Sequence, residues 1–273
     1  MSGTRRPPYL PFLAGPAIFT VGLKPLAAET WIDPDTEAHA ITEKRALVAT
    51  RRDDVFAQTD GSAAAQREAA KLIAAARGAE PLAFLETGLT LSDDLCVMEM
   101  REGAWVLSAA LLCAPSFWSL HENIGGPLAH LHGPVPDRLG PEGTQGLANR
   151  IGRMFSALPA DQILERLNWT IQAGPERFTP SSAPLLARAA RAKFEGAVDL
   201  LHLRVERQTI RRLPRTGGVL FTIRVCIDPL RAVFAVEGAK AAFARAWTET
   251  PDHVRAYKHW APMERLVQAL LAG

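Results

Sequence analysis

The chain has 273 residues, 48% of them apolar, and its 31 basic and 29 acidic side chains leave a formal charge of +2. This is the composition of an ordinary globular protein, large enough to bury a core without disulfide or metal staples. The interspersed charges offer no footprint for a nucleic-acid backbone or an anionic membrane, and no apolar run approaches the ~20 residues that span a bilayer. Neither nucleic acid nor membrane is therefore expected as a partner.

Cys96, Cys113 and Cys226 are odd in number, far apart and form no CxxC. Neither a disulfide framework nor a zinc site is expected, and a reducing compartment suits them. Arg5-Arg6, the apolar stretch 9–23 and Ala27-Ala28 imitate an export signal, but prolines at 7, 8, 11 and 16 interrupt it and Lys24 closes it early. A cytoplasmic protein is the expectation.

Along the chain, residues 42–49 open a first helix. Residues 63–77 form an Ala-rich amphipathic second one, with Ser62 as N-cap and Gly78 just past its end. The apolar runs 95–100 and 105–113 flank Arg101-Glu102-Gly103-Ala104, which is a hairpin signature. Helices are expected over 149–158 and 161–167. A second hairpin joins 201–213 to 219–228 through Pro214-Arg215-Thr216-Gly217-Gly218. Three helices close the chain, over 238–247, 251–259 with Thr250 as cap, and 261–271. Hairpins with helices placed around them predict an α+β fold, one domain over residues 1–273 with helical extensions at both ends. Two hairpins do not fix the strand order.

Two segments carry chemistry. The first is HENIGGPLAHLHGPVPDR, residues 121–138. If 124–132 is helical, Ile124, Leu128 and His132 share one face, and His130 lies about 200° from His132. Gly133-Pro134 then ends the helix. The His132 imidazole either favours the helix C-terminus beside the core, or enters an apolar pocket as an axial haem ligand must. Spacing leaves both open.

The second is HLRVERQTIRR, residues 202–212, in which Arg204, Glu206 and Gln208 line one strand face and Val205, Arg207 and Thr209 the other. On the return, Val219, Phe221, Ile223 and Val225 lie opposite Leu220, Thr222, Arg224 and Cys226, and register decides whether Arg224 meets Glu206 or Arg207. One reading is a wet, ion-paired hairpin. The other has an arginine pair with cofactor carboxylates while Glu206 offers charge to a cationic substrate. The six tryptophans show no binding-box spacing and read as core. A thiolate ligand is disfavoured, because Cys113 ends one strand and Cys226 lies within another with no cationic neighbour common to both.

In order, PFLAGPAIFTVGLKPLAAETWIDPD (11–35), DDLCVME (93–99), CAPSFW (113–118), LHGPVP (131–136), NW (168–169), VERQTIRRLPRTGGVLFTIRVCIDPL (205–230) and YK (257–258) form a series. That series resembles the haem-dependent oxidative N-demethylase-like proteins. The resemblance implies a PAS-like antiparallel sheet with surrounding helices, holding haem b in an apolar pocket. It implies oxidation of a small secondary amine such as dimethylamine by O2, with release of formaldehyde. Electrons would come from NADPH through reductase subunits carrying FMN and a [2Fe–2S] cluster. Lacking a Gly-rich dinucleotide fingerprint and a cysteine cluster, this chain would be the haem subunit. The resemblance further implies His132 as iron ligand with His130 in reserve, Arg207 and Arg224 at the haem propionates, and Glu206 as attractor of the protonated amine and acceptor of its proton. His39 and the stretch 121–123 depart from the family pattern and leave the amine open. A homo-oligomer is compatible with all of this. The rival reading is a haem-binding PAS-like sensor or carrier without turnover.

Overall fold

The computed structural model describes residues 6–17, 22–32, 37–131 and 143–272, without the side chains of residues 129 and 143–147. In chain order, β1 (Lys24–Leu26) precedes α1 (Ala38–Val55), β2 (Phe56–Gln58), α2 (Ala63–Arg77) and α3 (Phe84–Gly88). The strands β3 (Asp94–Arg101) and β4 (Ala104–Leu111) follow, then α4 (Leu120–Asn123), α5 (Leu128–Leu131) and α6 (Gly143–Ala157). Next come β5 (Ile163–Ala173), α7 (Ala183–Arg191), α8 (Ala197–Leu200), β6 (Leu201–Arg212) and β7 (Val219–Pro229). The chain continues through α9 (Leu230–Phe234), α10 (Ala239–Glu249), α11 (Asp252–Tyr257) and α12 (Glu264–Ala272). The α+β class expected from the hairpins is the one observed.

Local chemistry explains most of these bounds. Helix α2 stops where Gly78 takes a left-handed conformation, φ 60°, which a glycine adopts without strain. Ser62 does not cap a backbone N–H as expected; its hydroxyl donates to Thr59 O at 2.7 Å and accepts from Gln66 Nε2 at 2.9 Å. The β3–β4 turn sets Glu102 and Gly103 both at positive φ, the backbone twist that a two-residue hairpin requires. Residues 161–167, expected as a helix, instead lead into β5. From Ile163 the segment alternates: Leu167, Trp169, Ile171 and Ala173 take one side, Arg166, Asn168, Thr170 and Gln172 the other. That period of two overrides the helical preference of the first few residues.

The seven strands form one sheet in the order β1-β5-β6-β7-β3-β4-β2. The β1–β5, β2–β4, β3–β4 and β3–β7 pairs are antiparallel. Two compact units divide the chain, one from Met1–Thr20, Leu167–Glu206 and Val225–Gly273, the other from Val21–Arg166 and Arg207–Arg224. Strands β5, β6 and β7 contribute residues to each. In the first unit, Trp169, Ile171, Leu201, Leu203 and Val205 pack with Phe12 and Phe243. Trp247 and Trp260 stack there at 4.3 Å between ring centroids. In the second, Leu95, Val97, Ala109, Leu213 and Leu220 form one face of the sheet, covered by Ala65, Ala69 and Ile73 of α2 and by Trp31. Among the described residues, no helix is long and apolar enough to cross a membrane.

Candidate functional site

The opposite sheet face in the second unit is read from register. Cys96 lies across from Ala110 and Phe221, Met98 from Leu107 and Val219, Met100 from Trp105, and Asp94 from Ile223. Cross-strand partners project to the same side, so these residues share a face turned away from α2. A bulge between Val97 and Met98 leaves Ser108 unpaired in the ladder and brings Leu107 and Trp105 onto that face. Cys96, Met98, Trp105, Leu107, Ala110, Val219 and Ile223 are all buried. The result is an apolar wall.

Helix α6 packs on the Trp105 end of this wall. The Trp105 indole N–H donates to Gly152 O at 3.1 Å and to Ser156 Oγ at 3.3 Å, and its ring meets Phe155 edge-on. Arg212 donates to Phe155 O at 2.7 Å and to Ser156 O at 3.1 Å, holding the last turn of the same helix. Beside it the segment 125–131 leaves the edge of β4. Helix α5 begins only at Leu128, because Gly125 and Gly126 pair with the β4 backbone through Leu107. Ile124 is extended and takes no part in α5, so the expected face of Ile124, Leu128 and His132 does not form on one continuous helix. Leu128 is buried and His130 exposed; His132 lies outside the described residues.

The donor chemistry follows from burial. Desolvation pushes the Cys96 and Cys113 thiols far above their ordinary range, reinforced by the Asp94 carboxylate and opposed by Lys44, so neither offers a thiolate. Asp94 is itself raised by burial, against the opposing pull of Lys44 and of the Ala114 and Cys113 N–H groups that donate to it at 2.7 and 2.9 Å. Among the described residues, no group of three or more His, Cys, Asp or Glu side chains is placed to hold a metal ion. A flat group with apolar faces would find apolar contact along this wall and would have to take its protein donor from outside it. One further feature suits such a group if it carries carboxylates. On α6, Arg150 Nη2 is buried without a hydrogen-bond partner among the described residues.

The hairpin residues separate. The hydroxyls of Thr209 and Thr222 meet at 2.7 Å, and Leu213 N donates to Gly218 O. Continued two residues on, that register sets Arg224 opposite Arg207, not Glu206. Expected at cofactor carboxylates, these two arginines meet groups of the protein itself. Arg207 donates to Glu165 Oε1 at 2.5 Å and to the carbonyls of Thr30 and Trp31. Arg224 donates to Asp93 Oδ2 from Nε at 3.0 Å and from Nη2 at 2.7 Å. Both lie on the α2 side, as alternation with Thr209 and Thr222 requires. Glu206 projects from the other side of β6, buried, accepting from Asn168 Nδ2 at 3.2 Å with Arg204 Nε 3.9 Å away. The structure thus parts Glu206 from Arg207 and Arg224. Arg150 and Trp105 carried no signal in the sequence: an arginine on an amphipathic helix and a tryptophan in a strand read as solvated face and as core.

The fold and this site define an α+β protein whose sheet carries an apolar, helix-covered face beside a histidine-bearing segment. The model of the family described as haem-dependent oxidative N-demethylase, alpha subunit-like, matches residues 76–268. The chain belongs to that family, and the match spans β3 to β7 together with the LAHLHG segment.

Proposed function

We propose that this chain is the haem-binding subunit of an O2-dependent oxidative N-demethylase acting on a small secondary amine such as dimethylamine. Electrons would reach it from NADPH through partner subunits that carry FMN and a [2Fe–2S] cluster. The observation that carries this reading is the apolar wall against α6, beside α5, in a chain of this family. Bound haem b would supply the O2 activation and one-electron chemistry that side chains lack.

The residues then divide the remaining work. His132 supplies the donor nitrogen, with His130 as the alternative on α5. The wall of Met98, Leu107, Ile223 and their neighbours excludes water. Arg150 offers its guanidinium to a propionate. Arg207 and Arg224 act on the far side of the sheet by fixing β6 and β7. Glu206 attracts the cationic amine and accepts the proton that must leave nitrogen before oxidation.

The test is O2 uptake and formaldehyde release by haem-loaded protein with dimethylamine, NADPH and a reductase. Amine-dependent uptake with one aldehyde per O2 supports the reading. A change of iron ligation on adding amine or O2, with no aldehyde formed, supports the sensor or carrier instead.

A further inference from the structure

Asn168 and Lys258, 90 residues apart in the sequence, meet in the first unit. Lys258 directly follows α11 and is buried, 8% exposed. Its Nζ donates to Trp169 O at 2.8 Å and to Asn168 Oδ1 at 3.1 Å. The next residue, His259, takes the left-handed conformation, φ 55°, in which glycine usually ends a helix. Lys258 N bonds Val254 O and Trp260 N bonds Arg255 O to close that cap. The Trp260 indole N–H then donates to Thr170 Oγ1 at 2.8 Å. The turn thus grips β5 at three consecutive residues, 168 to 170. A left-handed residue other than glycine persists where its surroundings hold it on several sides.

We propose that Lys258 is a positioning residue for the Glu206 carboxylate, acting through the side-chain amide of Asn168. An ammonium only donates, so it fixes the amide oxygen toward Lys258. The amide nitrogen then faces Glu206 and donates to its Oε2 at 3.2 Å. Without Lys258 the amide is free to turn its oxygen to Glu206, an arrangement that suits only a protonated carboxyl. Ordering the amide therefore favours the ionised carboxylate, the form that attracts a cationic amine and takes its proton. That last step rests on the role proposed for Glu206; the ordering of the amide rests on the hydrogen bonds alone. Other charges surround Glu206. Arg204 Nε stands 3.9 Å from its Oε1, with Nη1 turned to Gln172 Oε1, Arg177 O and Thr179 Oγ1. On the same face of β6, His202 Nδ1 meets Leu200 O, and Gln208 accepts from Arg166 Nε at 2.7 Å. Across on β7 the Thr209–Thr222 register sets Val225, whose carbonyl accepts from Arg177. Lys258 is bonded to the amide that in turn bonds Glu206.

Lys258→Met removes the ammonium and Asn168→Leu removes the amide, each in the full chain carrying carboxyl-13C glutamate. The Glu206 carboxyl carbon, identified by its loss in Glu206→Gln, reports protonation directly by NMR. Its titration midpoint is expected to rise by about one pH unit in either variant, because a hydrogen bond to the charged form favours that form. The double variant should rise no further, since both changes break one relay. Trp260→Phe, which takes the bond to Thr170 from the same turn and keeps Lys258, should lower stability and leave the midpoint in place. An unmoved midpoint in either single variant overturns the proposal. So does a double variant whose shift is the sum of the singles, the mark of a charge acting through space, or a midpoint that moves equally in Trp260→Phe. Should Lys258→Met not fold, Asn168→Leu at its half-buried strand position decides against Trp260→Phe alone. A midpoint that moves as expected, in a haem-loaded chain whose Glu206→Gln variant keeps its amine-dependent O2 uptake, upholds the positioning and refutes the amine role of Glu206.

Discussion

Arg224 and Asp93 form the most deeply buried ion pair described in the structure, 1% and 0% exposed. Arg224 Nε and Nη2 converge on Asp93 Oδ2, while Oδ1 is buried without a hydrogen-bond partner among the described residues. Lys44 Nζ reaches the Asp93 backbone carbonyl at 2.5 Å and stands 3.4 Å from Asp94, so its charge is already committed there. Arg224→Met would leave the Asp93 carboxylate in an apolar setting without its guanidinium. Breaking a buried pair from one side costs about 3–5 kcal/mol. For a chain of this size that lowers Tm by roughly 6–20 °C, at about 2–4 °C per kcal/mol. Asp93→Leu should cost a similar amount by stranding the guanidinium. The double variant Asp93→Leu/Arg224→Met should recover most of the loss, because a buried pair exchanged for apolar side chains is often neutral. Urea denaturation of all four proteins measures the coupling. A single variant costing less than about 1 kcal/mol, or a double variant equal to the sum of the singles, refutes the reasoning.

Other expectations follow from named contacts. Burial holds the His202 imidazole below its ordinary range, with its Nδ1 2.9 Å from Leu200 O and with Glu176, Asp228 and Asp199 offsetting part of the effect. As pH falls below about 6.5 the unfolded chain takes up this proton before the native one does. Stability therefore declines from that pH down to the depressed native value, and His202→Gln should flatten the decline; equal acid loss in wild type and variant would contradict this. Glu68 accepts from Arg215 N, Thr216 N and Thr216 Oγ1 at 2.6, 2.8 and 2.7 Å, pinning the β6–β7 turn. Glu68→Ala should cost about 1.5–3 kcal/mol and Glu68→Gln less, by chemical denaturation. Cys96, Cys113 and Cys226 are buried free thiols, the first two with strongly raised pKa. Mass spectrometry should find all three unalkylated by iodoacetamide at pH 8 in the native protein and all three modified in urea.

Both hairpins were legible because alternation and turn chemistry are local: Glu102-Gly103 and the stretch 214–218 announce themselves within a few residues. Strand β5 was misread because the residues before Ile163 suit a helix, while the alternation that decides the matter extends to Ala173. The shortening of α5 has a cause that sequence does not display, since Gly125 and Gly126 give up helical bonds for a strand 18 residues earlier in the chain. The same holds for the arginines. Alternation along β6 correctly set Glu206 and Arg207 on opposite sides. Which carboxylates meet Arg207 and Arg224 depends on Glu165 and Asp93, 42 and 131 residues away. The apolar wall was half visible as Val219, Phe221, Ile223 and Val225; its other half needed the β3–β7 register and the bulge at Ser108.

The central claim is that a histidine of LAHLHGPVP holds haem against this wall, and a haem titration followed by absorption tests it most directly. The wild-type chain should bind one haem with a sharp Soret band. His130→Ala should do the same, and His132→Ala should retain none after gel filtration. A wild type that yields no Soret band with haem in excess, or a His132→Ala protein with full occupancy at an unchanged Soret position, contradicts the account.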